Sequence, residues 1–170
     1  MIAGADALSK AVDRMDFGLR ADVLDYVLRE RCPADLNLVV DRFAASHNAV
    51  GERFNARFDT PGAEAVDAFT QFWGDDFNFI LGDFNRTDAI MDHIERDDAE
   101  AVIIVPEHTS KPFWNRIWAA AWQGRVESWE FLGGEALEAH AENAGDCFFG
   151  ERFNCRLLLM VTRRTAGVTA

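Results

Sequence analysis

The chain has 170 residues, of which 49% are hydrophobic, and its 17 Lys and Arg against 29 Asp and Glu give a formal net charge of -12. This length is typical of one domain, and the apolar fraction is high enough for a sizeable core, which excludes disorder over the whole chain. The acidic excess disfavours a general phosphate-binding surface, because nonspecific affinity for nucleic acids depends on Lys and Arg.

The 3 cysteines are spread along the chain without a C-x-x-C pair. This odd number favours reduced thiols over a disulfide framework or a zinc ribbon. No apolar run approaches the roughly 18 to 20 residues that crossing a bilayer requires, and the amino terminus lacks the basic and then apolar pattern of a signal peptide. We therefore expect an intracellular protein, cytoplasmic or nuclear, that does not enter a membrane.

The first predicted helix ends at Pro33, and a short strand follows it. The apolar run 36–40 stops abruptly at Asp41, as a buried parallel strand would. The helix is predicted from apolar residues that recur at a spacing of 3.6, namely Leu19, Val23, Leu24, Val27 and Leu28.

A second strand and helix are predicted in the middle of the chain. The apolar run 78–81 is closed by Gly82 and Asp83. Thr87 is a plausible N-cap of the helix after it. One face of that helix is marked by Ile90, Met91 and Ile94.

The clearest strand is the β-branched run 101–105, which Pro106 bounds. The helix after it is predicted to end at Gly124, and strands are predicted at 126–132 and 155–161. One face of this last helix is marked by Trp114, Ile117, Trp118, Ala121 and Trp122.

Strands that alternate with helices predict an α/β fold with a mainly parallel sheet covered on both faces. The last two strands have no helix between them and are expected to form an antiparallel edge. The expected architecture is a Rossmann-like three-layer sandwich. In such sheets ligands bind beyond the carboxyl ends of the strands, which makes the loops after Asp41 and at Gly82 the candidate site.

Several short motifs follow one another in the order and spacing of a known domain. They are Asp41-Arg42-Phe43-Ala44-Ala45-Ser46-His47-Asn48, Phe54, Phe58, Asp67-Ala68-Phe69, Trp73, Ile104-Val105-Pro106 and Phe113-Trp114. Between residues 17 and 161 the chain resembles the Dam-like N6-adenine methyltransferase domain of phages and of DIRS-type (tyrosine-recombinase) retroelements. This resemblance implies a class I methyltransferase-like domain at 17–165. Residues 1–16 have few large apolar side chains and are expected to form a leader, and residues 166–170 are expected to form a tail.

Residues 4–10 are similar to the A-D-x-L-S-R ending of the RNase H domain that precedes this domain in the retroelement polyproteins. In those polyproteins the Asp binds the metal of the nuclease. Here Asp6 would be a relic of that neighbour without a catalytic role.

The resemblance implies S-adenosylmethionine as cofactor. It would place Asp41, Phe43 and Ala44 along the methionine part of the cofactor, and Asp67 near the adenosine part. A carboxylate accepts hydrogen bonds from amino or hydroxyl groups, and an aromatic face covers an adenine, which suits these roles. The structural alternative is that Asp41 caps the turn after its strand and that Asp67 caps a helix or turn.

The catalytic motif of the family is altered in this chain. The family has Asn or Asp, then two prolines, then Tyr or Phe, and the corresponding positions hold Leu81, Gly82, Asp83 and Phe84. In the family, the first side chain and the next carbonyl accept hydrogen bonds from the target amino group, and the aromatic residue stacks on the flipped base. Leu81 has no acceptor, and the loop lacks the prolines that fix the backbone, although Phe84 keeps a ring that can stack.

Three functions remain open on this basis. The first is a degenerate module of retroelement origin, which would bind protein partners or neighbouring polyprotein domains. The second is an active DNA adenine-N6 methyltransferase in which Asp83 replaces the missing acceptor, and the third is a protein-binding module without a cofactor. A nucleic-acid partner is not favoured by the charge.

Other constellations carry weaker signals. Five aspartates would form a Mg²⁺ site if they gathered at the strand ends, but acidic residues are abundant here and random clustering explains them. His93 is expected at the solvent face of its helix, while His108 is expected near the cleft. The five aspartates are Asp41, Asp67, Asp75, Asp76 and Asp83.

The aromatic run 113–118, with Trp122 one turn later, is interpreted as core packing because of its helical spacing, with a base-stacking platform as the alternative. Two of its indole rings would still reach the edge of the cleft. The only candidate basic strip consists of Lys111, Arg116, Arg125, Arg163 and Arg164.

Overall fold

The computed structural model describes residues 17–82, 84–133, 136–139 and 156–165. The strands are β1 (Phe17–Leu19), β2 (Val39–Asp41), β3 (Asn55–Ala56), β4 (Ala65–Val66), β5 (Phe77–Leu81), β6 (Glu100–Pro106), β7 (Val126–Leu132), β8 (Leu137–Ala139) and β9 (Leu157–Thr162). The helices are α1 (Ala21–Arg31), α2 (Thr87–Asp97), α3 (Pro112–Trp118) and α4 (Ala120–Gln123).

Five strands form the central sheet in the order β2-β5-β6-β9-β7. The first three are parallel to one another, whereas β9 is antiparallel to both β6 and β7. Four strands therefore share one direction, and the fold is α/β with a mixed, mostly parallel sheet. The expected antiparallel pair at the carboxyl-terminal edge is confirmed. In this pair β9 is the strand that runs opposite to the rest of the sheet, and it lies between β6 and the edge strand β7.

Helices cover both faces of this sheet, as the sequence predicted. The residues of β6 alternate between the faces, so that Ile103 contacts the apolar side of α2 and α3 while Ile104 lies on the side of α1. Because both faces are covered, residues 101–105 are all buried. A strand buried on both faces reads as a continuous apolar run, which is why β6 was the clearest strand in the sequence.

The strand predicted at 36–40 begins later than expected. Residues Leu36–Leu38 form a single 3-10 turn, and the strand β2 starts at Val39. The Asp35 carboxylate accepts a hydrogen bond from Asn37 N at 3.0 Å, which fixes the turn. Leu38 is consequently 54% exposed and is not a core residue.

The helix α2 has the predicted apolar face but not the predicted cap. Ile90, Met91 and Ile94 are buried. Thr87 is the first helical residue, and its hydroxyl donates to Phe84 O at 2.7 Å. Thr87 therefore closes the preceding turn and does not accept from the helix, so this cap prediction was wrong.

The single helix predicted after β6 is two helices. Ala119 adopts an extended backbone with ψ 147, which ends α3 at Trp118 and starts α4 at Ala120. The break changes the helical phase, so the buried residues are Phe113, Ile117 and Trp122. Trp118 and Ala121, which were predicted on the inner face, are exposed, and Trp114 is half-buried.

Four short strands were not predicted. β1 pairs antiparallel with β8, and β3 pairs in parallel with β4 through two residues each. Elements of two or three residues carry no hydrophobic period. The predicted leader, tail and Cys155 lie outside the described residues. Within the part of the chain that the structure describes, no helix is long and apolar enough to cross a membrane.

Candidate functional site

The ends of β2 and β5 lie side by side, because Asp41 is paired with Phe79. The contact continues along the chain, where Arg42 N donates to Phe79 O at 3.0 Å. The loops beyond the two strands touch, since a Cβ on Gly82 would stand 3.3 Å from the Cβ of Phe43. The two loops named from the sequence therefore meet at the carboxyl edge of the sheet.

The Asp41 carboxylate is turned into the protein. Its side chain accepts hydrogen bonds from Phe43 N at 3.3 Å and from Val50 N at 3.2 Å. Burial raises the pKa of Asp41 to about 7, against the opposing effect of these two main-chain donors. In this structure Asp41 holds the loop 42–50 in place, and neither carboxylate oxygen is without a main-chain donor.

Asp67 lies on a neighbouring turn and is exposed to solvent. It has a positive φ of 60, and its carboxylate accepts a hydrogen bond from Phe69 N at 3.1 Å. This is the turn cap that the sequence offered as an alternative. Phe69 in turn contacts the ring of Phe43, edge to face, with the centroids 5.4 Å apart. Ala44 N donates to Asn55 O at 3.1 Å, which holds the same loop against β3.

An arginine that the sequence did not indicate covers this aromatic pair. The guanidinium carbon of Arg86, from the turn after β5, lies 3.8 Å from the centroid of Phe69. Asp67 and Arg86 are both exposed, so the rim offers an anionic and a cationic group beside the aromatic rings. Phe69 belongs to a motif quoted from the sequence, whereas no sequence signal distinguishes Arg86.

The positions expected from the sequence to correspond to a catalytic motif differ in their surroundings. The side chains of Leu81 and Phe84 are buried in the core beneath α1. Gly82 has a φ of 140, in the region that favours glycine. Proline, whose ring locks φ near −65°, would not adopt this conformation. Asp83 lies outside the described residues.

Arg42, which is 3% exposed, lies at the centre of a buried polar network. Its guanidinium donates to Asn78 Oδ1 at 2.7 Å and to Asn55 Oδ1 at 2.8 Å, and it forms an ion pair with Asp76 at 3.2 Å. Burial lowers the pKa of Arg42, and the charge of Asp76 opposes this effect. Asp76 also pairs with Arg53 at 3.0 Å. The network fastens the connection between β2 and β5 to the sheet.

His93 is buried, contrary to the expectation that it faces solvent. Its ring lies 3.9 Å from that of Trp73, and Nε2 is 2.8 Å from Gln71 O and 2.9 Å from Asp97 Oδ2. Burial lowers the pKa of His93. The expectation failed because the segment that carries Gln71 and Trp73 folds over α2, which periodicity within the helix does not reveal.

His108 follows the carboxyl end of β6, as expected. Burial is the main cause that lowers its pKa, and the nearby Lys111 ammonium acts in the same direction. Its ring centroid is 6.5 Å from that of Phe113. These contacts place His108 against the start of α3.

The described residues contain no group of three His, Cys, Asp or Glu that would hold a metal ion. The candidate basic strip is largely neutralised, because Arg116 pairs with Asp92 at 2.7 Å and Arg164 with Glu100 at 3.4 Å. Arg125 similarly lies 3.5 Å from Asp98. A continuous cationic surface does not form from these residues.

The fold and the site define an α/β protein with a candidate site at the carboxyl edge of its sheet. The chain matches no model of a known protein family, and a search of curated proteins found no match.

Proposed function

We propose that this chain is a methyltransferase-like domain of retroelement origin that does not transfer methyl groups and acts as a structural or interaction module. The architecture supports the first part. An α/β sheet with an antiparallel carboxyl-terminal edge is what the resemblance implies, and the loops that would hold cofactor and target meet at the expected edge. Fold alone does not give function, so the second part depends on the site.

The observation that carries the proposal is the pair Leu81 and Gly82. A buried hydrocarbon stands where the family has an oxygen that accepts a hydrogen bond from the target amino group. The next residue has a φ of 140, which the family's proline would not adopt. Catalysis of this kind requires acceptors that are held in position before the reaction, and these two residues supply none.

The residues expected to hold S-adenosylmethionine also fit that group poorly. The Asp41 carboxylate accepts from two main-chain N–H groups within its own loop, which leaves it turned away from a ligand. Phe43 lies so near Gly82 that a Cβ on the glycine would stand 3.3 Å from the Phe43 Cβ, which narrows the space between the two loops. These contacts support a module that works without the cofactor.

A methyl-transfer assay with unmethylated DNA and radiolabelled S-adenosylmethionine tests the proposal. We expect no labelled adenine, and no rise in melting temperature when the protein is titrated with S-adenosylmethionine or S-adenosylhomocysteine. Robust methylation of adenine would overturn the loss of catalysis.

The same assay distinguishes the proposed inactive module from the alternative of an active methyltransferase. If Asp83 had replaced the lost acceptor, Asp83→Ala would abolish transfer, while the matched change of the exposed Asp59 to Ala would leave it unchanged. We expect both variants and the parent chain to give only the background radioactivity of the assay, with no methyl transfer to DNA.

A further inference from the structure

Four aromatic rings form a continuous cluster between α3 and the edge strand β7, which we call the aromatic patch. Its members, Trp114, Trp118, Trp129 and Phe131, contact one another in a chain of edge-to-face pairs. The centroid distances are 5.7 Å for Trp114 and Trp118, 5.0 Å for Trp118 and Trp129, and 5.9 Å for Trp129 and Phe131. Trp118 is 38% exposed and Trp129 is 47% exposed.

Trp118 and Trp129 do not belong to the core of the helix layer, whereas the half-buried Trp114 and Phe131 pack against it. Phe113 and Ile117 form that core on α3, and the break at Ala119 leaves Trp118 on the outer side. Exposed aromatic residues that are contiguous, and not scattered singly, mark interaction surfaces. Trp is also one of the residues enriched among the side chains that dominate binding energies.

The patch lies on an edge strand. Among the described residues, β7 pairs with β9 alone. An extended peptide that added to such an edge would gain main-chain hydrogen bonds, and every second side chain would point towards the same face. Trp129 and Phe131 are two residues apart on that face, which matches this spacing.

The charge around the patch favours a cationic occupant. Arg116 lies between Trp114 and Trp118 in the sequence but on the opposite side of α3, where it pairs with the α2 carboxylates of Asp88, Asp92 and Glu95 and does not oppose a cation at the patch. Glu127 is exposed on β7, and the whole chain carries a formal charge of -12. Phosphates and a second copy of this acidic chain would both be repelled.

The patch already holds one guanidinium of the chain itself. The guanidinium carbon of Arg156 lies 3.9 Å from the centroid of Phe131, and its nitrogens pair with the Glu107 carboxylate at 2.8 Å. The more exposed indoles of Trp118 and Trp129 have faces of the same kind, and indole is the ring that attracts cations most strongly.

We propose that the aromatic patch and the outer edge of β7 bind an extended, arginine-rich segment of a partner protein. The segment adds as a strand along β7, its arginines lie on the indoles of Trp118 and Trp129, and Glu127 neutralises part of its charge. This inference deepens the proposed function, and it rests on the part that makes the chain an interaction module.

Isothermal titration of the full chain with a peptide of four Arg-Val repeats tests the proposal at physiological salt. We expect binding, and we expect Trp118→Ala and Trp129→Ala each to weaken it by about tenfold, the effect of losing one strong aromatic contact. Phe58→Ala is the matched control, because Phe58 is 56% exposed but lies outside the patch. We expect this control to change the affinity less than about twofold.

Two further measurements keep the test decisive if a tryptophan variant folds poorly. Glu127→Arg leaves the rings in place and reverses one charge, so we expect weaker binding with an unchanged melting temperature. A peptide of four Glu-Val repeats should not bind. Equal affinity of the two peptides, or equal effects of Trp129→Ala and Phe58→Ala, would overturn the proposal.

Other occupants give different results. Tighter binding of oligothymidylate than of the basic peptide would indicate a nucleic-acid site, and a dimer that Trp129→Ala dissociates would indicate a second copy. Either result would overturn the peptide proposal. The outcome is separate from the methyl-transfer assay, because labelled adenine would refute the proposed function whether or not the peptide binds.

Discussion

At the carboxyl edge of β2 and β5 the side chains of Asp41 and Arg42 are turned inward, whereas Trp129 on β7 and Trp118 on α3 are turned outward. Asp41 and Arg42 are 3% exposed, and Trp129 is 47% exposed. Polar residue types that suggest catalysis in the sequence, such as Asp41, here hold loops together. Trp118, which the sequence assigned to a core, is instead exposed.

Replacement of Arg42 by Ala should have the largest effect on the inward-facing region. It would leave the oxygens of Asn78 and Asn55 and the charge of Asp76 without their buried donor. We expect the free energy of unfolding to fall by about 3 to 5 kcal/mol, as measured by urea denaturation.

The exposed Arg57 provides the control for this change. Arg57→Ala should alter the free energy of unfolding by less than about 0.5 kcal/mol. Similar losses for the two variants would show that the buried network is not what holds this region.

A comparison of wild type with Asp41→Asn across pH tests whether burial of the ionised Asp41 carboxylate lowers the free energy of unfolding. Burial raises its pKa from 3.8 to about 7 in the folded protein, so the native state binds the proton more tightly than the unfolded chain. The contribution of the Asp41 carboxyl group to the free energy of unfolding is therefore greatest at low pH, and it is lost as the pH rises from about 4 to about 7. Over that pH range we expect the free energy of unfolding of the wild type to fall by about 2 to 4 kcal/mol relative to that of Asp41→Asn.

Chemical denaturation at a series of pH values measures this difference. Asp25→Asn is the control, since it changes the net charge equally but removes an exposed carboxylate. A difference between wild type and Asp41→Asn that stayed constant with pH would show that Asp41 is hydrated in solution.

Gly82→Ala tests the backbone conformation of the loop that follows β5. The φ of 140 and the approach of 3.3 Å to Phe43 both oppose a Cβ at this position. We expect a loss of about 1 to 3 kcal/mol in thermal or urea unfolding. A Cβ on Gly133 would meet no atom of the described residues within 4 Å, so Gly133→Ala should be nearly neutral. Equal effects of the two changes would contradict the strained conformation at Gly82.

The smallest effect on stability is expected for the outward-facing region. Trp129→Ala should lower the free energy of unfolding by at most about 1 kcal/mol while it weakens peptide binding. The same change at the fully buried Trp122 should cost about 3 to 5 kcal/mol. A comparable loss at Trp129 would show that the aromatic patch is part of the core and would end the contrast between the two regions.

Much of the fold was predictable because its long elements carry their own pattern. The run 101–105 is apolar throughout since it is buried on both faces, and Ile90, Met91 and Ile94 follow the helical period of α2. Local chemistry also placed the ends of β2 and β5, because Asp41 and Gly82 interrupt two apolar runs. The meeting of their loops then followed from the parallel direction of the strands.

The α/β class and the candidate edge of the sheet followed from the sequence by itself. Only the tertiary structure decided that Asp41 accepts from its own loop, that His93 is covered by the segment carrying Trp73, and that Trp118 faces outward. The physical reason is that hydrophobic period and turn chemistry act between near neighbours. Burial of a polar group and exposure of an aromatic ring depend instead on segments that are distant in the chain and meet only after folding.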